Sequence, residues 1–265
     1  MPADYHTHTP LCMHAEGEPE EFVAAAIAAG LDEYGIACHA PVKPEPFDDW
    51  RMLVSQLPDY FSWIERARAA AGDKLAIRCG LECDWLAGCE DWISELRASH
   101  PWDYLIGSVH YIGDQWDFDN PKWLGRWEKT DVDQVWQQYW ATYIQMVDSG
   151  LFDILGHADL IKKFAYQPAG DLDHYYEPVI DAIAASGSIL EINTAGWHKP
   201  CAEAYPSADF LTLAADAGID IVISSDAHAP AEIARDFAKA RQLAKSAGFS
   251  QTVKINRGQR SYEAL

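Results

Sequence analysis

Positive charge is scarce in this chain. Its 265 residues carry 20 Lys and Arg against 41 Asp and Glu, a formal net charge of −21 with neutral histidine. Nucleic-acid backbones are held by Lys and Arg, so this balance argues against a nucleic-acid partner. No stretch approaches the roughly 18 apolar residues that a transmembrane helix requires, so no membrane partner is expected. The N-terminus lacks the basic and apolar regions of a signal peptide, which predicts a cytoplasmic protein. None of the six cysteines (Cys12, Cys38, Cys79, Cys83, Cys89 and Cys201) stands in a Cys-x-x-Cys pair. That excludes a zinc ribbon and a dithiol redox motif of that type. They are expected to be reduced, small apolar residues, with Cys12 and Cys38 as neighbours of the candidate site rather than parts of it. There is also no internal repeat, low-complexity tract or linker. The expectation is one domain over residues 1–265, a length suited to an α/β barrel.

What is present is an alternation of short apolar runs with helical stretches. Strands are predicted over Asp4–His6, Glu33–Cys38, Leu75–Cys83, Tyr104–Val109, Ile154–His157, Ser188–Asn193 and Asp220–Ser224. Helices are predicted over Glu18–Ala29, Tyr60–Ala71, Asp91–Ser99, Asp131–Ser149, His174–Ala185, Ser207–Ala217 and Ile233–Ala247. Gly30 and Gly187 follow two of these helices as C-terminal caps. Seven βα repeats fit a parallel sheet closed into a barrel, with an open doubly wound sheet as the alternative.

Histidines gather at the ends of these strands. His6 and His8 lie two residues apart, and so do Asp226 and His228. In a strand, residues i and i+2 share a face, so each pair can aim at one cluster. His39, Glu82, His110 and His157 each lie at or just past a strand's C-terminal end, and His14 falls in the first βα loop. That face carries the active site in α/β barrels. A lone histidine is more often a satisfied core or surface residue, which is the reading for His100, His174 and His198 taken singly. Seven histidines placed alike do not fit it. Imidazole and carboxylate together suit Zn, Mn or Fe, and metal-dependent hydrolysis is the leading hypothesis.

The segments DYHTHTPLCMHAEG, GSVHY, GHADLIKKF, EINTAG and SSDAH resemble the polymerase-and-histidinol-phosphatase (PHP) family, and particularly its histidinol-phosphate phosphatase branch. The likeness spans essentially the whole chain. It implies a distorted (β/α)7 TIM-like barrel with a trinuclear centre of divalent ions at the C-terminal strand ends. By this resemblance His6, His8, Glu82 and Asp226 hold the first metal. Glu82 bridges to a second, also held by His110 and His157, and His14, His39 and His228 hold the third. A bridging carboxylate sets two cations about 3.5–4 Å apart, and a water they share loses its proton near neutral pH. The implied reaction is hydrolysis of L-histidinol phosphate to L-histidinol and phosphate, a step of histidine biosynthesis. The bridging hydroxide attacks phosphorus in line, with Glu82, Asp226 and His228 as the catalytic carboxylates and imidazole. A coordinated water, Asp226 or His198 protonates the leaving alkoxide.

On the substrate side, Lys162, Lys163, His198 and Lys199 abut the candidate ligand segments. The resembling branch tends to present arginines to phosphate there, and the best-aligned positions here hold Lys162 and His198. Arg and Lys are not equivalent at a bidentate site. The bland reading is that the lysines are solvated loop charges. Asp48, Asp49, Asp117 and Trp116 are candidates for the amine and imidazole of the small phosphorylated substrate. The segment 111–130 carries Trp116, Trp123 and Trp127 without periodicity and is expected to overhang the pocket as a lid, a wall or an aromatic-packed rim. The proline-rich stretch Pro41–Asp49 is expected to form a stiff rim. Glu82 and His228 argue against an amidohydrolase-like enzyme, and the complete ligand set argues against a non-catalytic polymerase module. A phosphatase or phosphodiesterase acting on another small phosphoester or nucleotide is the alternative.

Overall fold

A computed structural model describes residues 2–265. Seven parallel strands form one sheet: β1 (Ala3–Asp4), β2 (Glu33–Ile36), β3 (Ala76–Asp84), β4 (Tyr104–Ser108), β7 (Ile154–Leu155), β8 (Ile189–Asn193) and β9 (Ile221–Ser224), paired in that order. The intervening chain supplies α1 (Pro19–Ala28), α2 (Leu57–Ala71), α3 (Glu90–Ser99), α5 (Val132–Asp148), α6 (Asp173–Ser186) and α7 (Ala208–Asp216), with α8 (Phe237–Ala247) after the last strand. The edges meet through a parallel bridge between Thr7 and Ala227, in which His8 N donates to Ala227 O at 2.9 Å. Asp4 reinforces the closure. Its buried carboxylate accepts from Ser225 N at 3.0 Å and Ala234 N at 3.1 Å, and from the Ser225 hydroxyl. The predicted α/β barrel therefore forms, closed by a bridge rather than a full ladder.

Strand periodicity divides inside from outside. Leu81 and Cys83 of β3 and Leu190 and Ile192 of β8 pack outward against the helices. Tyr104, Ile106, Ile154, Ile189 and Val222 form a second, inner cluster with Tyr5 and Ala37. An antiparallel hairpin of β10 (Gln251–Asn256) and β11 (Gln259–Ala264), absent from the sequence reading, joins it through Val253 and Ile255. Ile255 N donates to the Tyr5 hydroxyl at 3.1 Å, so the hairpin is anchored to the barrel interior.

The segment 111–130 is more regular than its sequence suggests. It forms the hairpin β5 (Tyr111–Ile112) and β6 (Trp116–Asp117), a 3-10 turn over Pro121–Trp123, and the one-turn helix α4 (Leu124–Trp127). Trp116 and Trp127 are buried with ring centroids 5.0 Å apart, while Trp123 is exposed. Among the described residues no helix is long and apolar enough to cross a membrane.

Close approach fixes one glycine. A Cβ on Gly35 of β2 would stand 2.2 Å from the Tyr104 hydroxyl and 2.8 Å from Tyr5 Cα. One of these groups belongs to the backbone, so the strand itself must shift. Gly35→Ala is expected to cost about 1–3 kcal/mol, as overpacking of a full core does. A urea titration reads this as a lower midpoint, and an unchanged midpoint shows that the barrel interior yields freely.

Candidate metal centre

Each strand end delivers its side chain in the direction the pleat dictates. Gly80, Glu82 and Asp84 alternate along β3, which places both carboxylates inside the barrel. Glu82 is the point of convergence. Its Oε2 lies 2.7 Å from His39 Nδ1 and 3.4 Å from His6 Nε2. Its Oε1 lies 2.9 Å from His157 Nε2 and 3.7 Å from His110 Nε2. Asp226 Oδ1 stands 3.0 Å from His8 Nε2 and 3.8 Å from His6 Nε2. The His228 ring stacks on His8 at 4.0 Å and on His14 at 4.6 Å. All nine side chains singled out in the sequence are thus brought into one contiguous cluster.

Two backbone outliers serve this convergence. His157 and Asp226 hold φ of 23° and 53°. Side chains with a Cβ rarely adopt positive φ, and such strain persists only where the surroundings impose it.

Burial alone would raise the Glu82 pKa, but the imidazoles of His39, His6 and His110 hold it well below the usual carboxylate range. Asp226 is likewise held low by His6, His8 and His228 against the effect of burial. Burial would lower the His110 pKa, yet Asp84 and Glu82 raise it to about 10. His39 goes the other way, lowered to about 4 by burial.

Two acids missed in the sequence support the imidazoles from behind. Glu191 Oε1 faces His6 Nδ1 at 2.8 Å, and its Oε2 accepts from His157 N at 2.8 Å. Asp84 faces His110 Nδ1 at 2.7 Å and accepts from Arg51 at 2.8 Å. Such partners fix ring orientation and tautomer at metal sites. Glu191 was findable as an acid inside the apolar run Ser188–Asn193, two residues before Asn193 and on the same face. Asp84 stands in the same relation to Glu82.

The donor set fits divalent ions. His6 Nε2, His157 Nδ1 and His228 Nε2 are buried and lack a hydrogen bond, and the close His39 Nδ1–Glu82 Oε2 pair is poorly aligned for one. Buried polar atoms are seldom left so. Several of these atoms fall into tight groups: His6, Glu82 and His157; His6, His8 and Asp226; His8, His39 and His228.

The cluster floors a pocket of about 530 Å³. Trp50 forms one wall, with its ring 4.7 Å from His39. Asp117, Asp119, Asn120 and Pro121 form another, so the segment 111–130 does wall the pocket, but through its acids and amide.

Several substrate-side expectations need correction. Trp116 does not line the pocket, because its ring packs inward on Trp127. Lys162 is buried elsewhere, with Nζ 2.8 Å from Asp159 and 2.9 Å from Glu203. His198 is half exposed outside the pocket and faces Asp236 at 2.7 Å. Asp48 is held by Arg51 and by the Tyr111 hydroxyl. Lys163, Lys199 and Asp49 do line the pocket, with Lys163 2.8 Å from Asp119. Arg235, which the sequence reading missed, lines it as well.

Comparison with known proteins follows the same lines. The PHP domain family matches residues 4–195. A probable histidinol-phosphatase of Deinococcus radiodurans is 42% identical over 247 residues, covering 92% of this chain and 93% of the relative. The histidinol-phosphatase of Lactococcus lactis is 27% identical, covering 94% of this chain and 92% of the relative. A crystal structure of the Lactococcus lactis histidinol phosphate phosphatase, complexed with zinc, L-histidinol and phosphate, superposes with a TM-score of 0.82 at 26% identity, covering 98% of each chain. The crystal structure of a putative histidinol phosphatase from Listeria monocytogenes gives 0.77 at 27% identity, covering 89% of this chain and 99% of that one. With a family match over most of its length and a relative above two-fifths identity, this chain belongs to the PHP domain family.

Proposed function

We propose that this protein is a metal-dependent phosphomonoesterase that hydrolyses L-histidinol phosphate to L-histidinol and phosphate. The observation that carries the reading is the buried Glu82 carboxylate with five imidazoles around it, opening onto a pocket lined by both lysines and carboxylates. The resemblance to histidinol-phosphatases over nearly the whole chain supports it.

In this reading His6, His8, Glu82 and Asp226 hold a first divalent ion. Glu82, His110 and His157 hold a second, and His14, His39 and His228 a third. When bound, such ions activate water near neutral pH and neutralise charge on a phosphoryl group. The chain's own residues do the rest. Glu191 and Asp84 keep His6 and His110 in one ring orientation. Lys163, Lys199 and Arg235 present ammonium and guanidinium groups to phosphate oxygens. Asp49, Asp117 and Asp119 offer carboxylates to the amine and imidazole of the leaving alcohol. Asp117 is pushed up to about 6 by burial and by Asp119 beside it, an arrangement that a bound cation relieves. Of the two side chains considered as proton donors to the alkoxide, Asp226 lines the pocket and His198 does not.

Phosphate release from L-histidinol phosphate, measured beside a panel of phosphomonoesters and nucleotides, tests the substrate. Strong preference for histidinol phosphate, abolished by a chelator, is expected. Activity spread evenly over the panel keeps the metal hydrolase and discards the substrate.

Glu82→Ala is expected to lose metal and activity together. Elemental analysis showing three ions per chain with normal turnover overturns the ligand assignment.

Lys163→Ala is expected to raise KM by about 10- to 100-fold, in keeping with the 1.5–3 kcal/mol of a hydrogen bond to a charged group. Lys162→Ala leaves Asp159 buried without its cation, so it lowers thermal stability and leaves KM near wild type. The opposite pattern in the two variants returns the phosphate role to Lys162.

A further inference from the structure

Two cysteines lie beside the nine-residue cluster without belonging to it. Cys12 and Cys38 are fully buried, free thiols. Cys12 ends the 3-10 turn Pro10–Cys12 in the loop that carries His14, and Cys38 immediately precedes His39. The two sulfurs and a ring nitrogen of His8 all lie within 4.8 Å of one another. The Cys38 sulfur also accepts from Thr9 N at 3.4 Å, next in the chain to His8.

Four of the other six rings have an oxygen behind them, while His157 Nδ1, like His8 Nδ1, is buried without a hydrogen bond. His6 Nδ1 faces the Glu191 carboxylate at 2.8 Å, and His110 Nδ1 faces Asp84 at 2.7 Å. His14 Nδ1 faces Cys12 O at 2.7 Å, and His228 Nδ1 faces Asp226 O at 3.0 Å. Each has an oxygen to fix its orientation. His8 has none: its Nε2 turns to Asp226 at 3.0 Å, and its Nδ1 is buried without a hydrogen bond of good geometry. The sulfur of Cys38 is the polar atom left to that edge of the ring, and Cys12 stands against the same sulfur.

We propose that Cys38 positions His8, that Cys12 is its oxidisable partner without a positioning role of its own, and that joining the two as a disulfide loosens the metal centre. The second half rests on the reading of His8 as a metal ligand. The oxidant is a hydroperoxide. Each thiol gives up one hydrogen, the S–S bond forms as the O–O bond breaks, and the two oxygens leave as water, or as water and an alcohol. Sulfur is oxidised and the peroxide reduced. A disulfide holds its sulfurs about 2.05 Å apart, closer than separate thiols can stand. Cys38 is drawn from His8 toward Cys12, and the loop bearing His14 moves with Cys12. His14 and His39 line the pocket, and Cys12 and Cys38 lie within two residues of them in the chain but are fully buried, so a peroxide reaches the sulfurs only through that wall of the pocket.

The test uses the full chain loaded with zinc and treated with hydrogen peroxide. Intact mass, peptide mapping and metal content are read before and after dithiothreitol. The expected result is loss of the mass of two hydrogens, a linked Cys12–Cys38 peptide, and zinc affinity reduced about 10- to 100-fold, the usual effect of losing an outer partner of a ligand, all restored by the reductant. Cys12→Ser keeps its zinc and activity before peroxide and resists both changes. Oxidation confined to Cys89, Cys201 or the methionines overturns the thiol pair. A linked peptide with zinc affinity unchanged overturns the positioning of His8, as does a Cys12→Ser protein that loses zinc as wild type does. If the reduced protein binds no zinc at all, the metal reading fails, while the linked peptide still decides whether the pair oxidises.

Discussion

A carboxylate shut away from water needs compensating charge, and Glu82 has it from every side. Five imidazoles stand within 3.8 Å of its oxygens, delivered by the ends of β1, β2, β3's neighbour β4, and β7. An isolated buried carboxylate costs many kcal/mol and would take a proton instead. Here the ring of imidazoles keeps it ionised. The arrangement is possible because a closed parallel barrel points all of its strand ends at one axis. The Thr7–Ala227 bridge and the Asp4 carboxylate matter for the same reason: they bring the first and last strands, and with them His6, His8, Asp226 and His228, to the same axis as Glu82.

Compensation by imidazole is incomplete. Several ring nitrogens are buried without a hydrogen bond, and burial and the surrounding imidazoles lower His39 and His228, while neighbouring carboxylates raise His6, His8 and His110. Neutral imidazole and ionised carboxylate are the protonation states in which these groups donate to a metal. The carboxylates, His39 and His228 are thus held in their donor forms, and the raised imidazoles of His6, His8 and His110 must give up a proton as a metal binds. Binding to the folded state alone then adds to the stability of that state by mass action, and the cations offset part of a strongly acidic chain.

Where the chain is periodic, the sequence is legible. The seven strands and their helices follow from alternating apolar runs, and eight of the nine clustered side chains follow from their place at the strand ends, with His14 in the loop that leaves the first. What escapes is what lies off the period. Lys162 ends a 3-10 turn and Lys163 caps it, and one residue's difference sends one ammonium to Asp159 and the other to the pocket. No repeat distinguishes them beforehand. Trp116 escapes because its neighbour Asp117, on the opposite face of β6, takes the pocket side. Arg235 comes from the irregular stretch before α8, and the β10–β11 hairpin follows the last helix with mixed, largely exposed faces. Glu191 and Asp84 are the instructive pair, because both sit on the legible inward face. An acid at an inward position two residues from another inward polar group is a support for the site, even when it is not one of the groups that would touch a metal.

The inward faces also explain how one barrel can be both a core and a reaction vessel. Along β8 the inward residues run Ile189, Glu191, Asn193, and along β4 they run Tyr104, Ile106, Ser108. Each strand passes from apolar to polar within four residues, all of them buried. The lower layers, covered by Val253 and Ile255 of the hairpin, provide the dry packing that sets strand positions. The upper layer inherits those positions for its carboxylates and imidazoles. A slip of one residue in any strand would exchange its inward and outward sets, putting Leu190 and Ile192 where Glu191 and Asn193 belong. Register is thus held twice, by the apolar layer that cannot face water and by the polar layer that cannot be buried among the helices. The precision of the site is a consequence of the first constraint, and the choice of residues in it reflects the second.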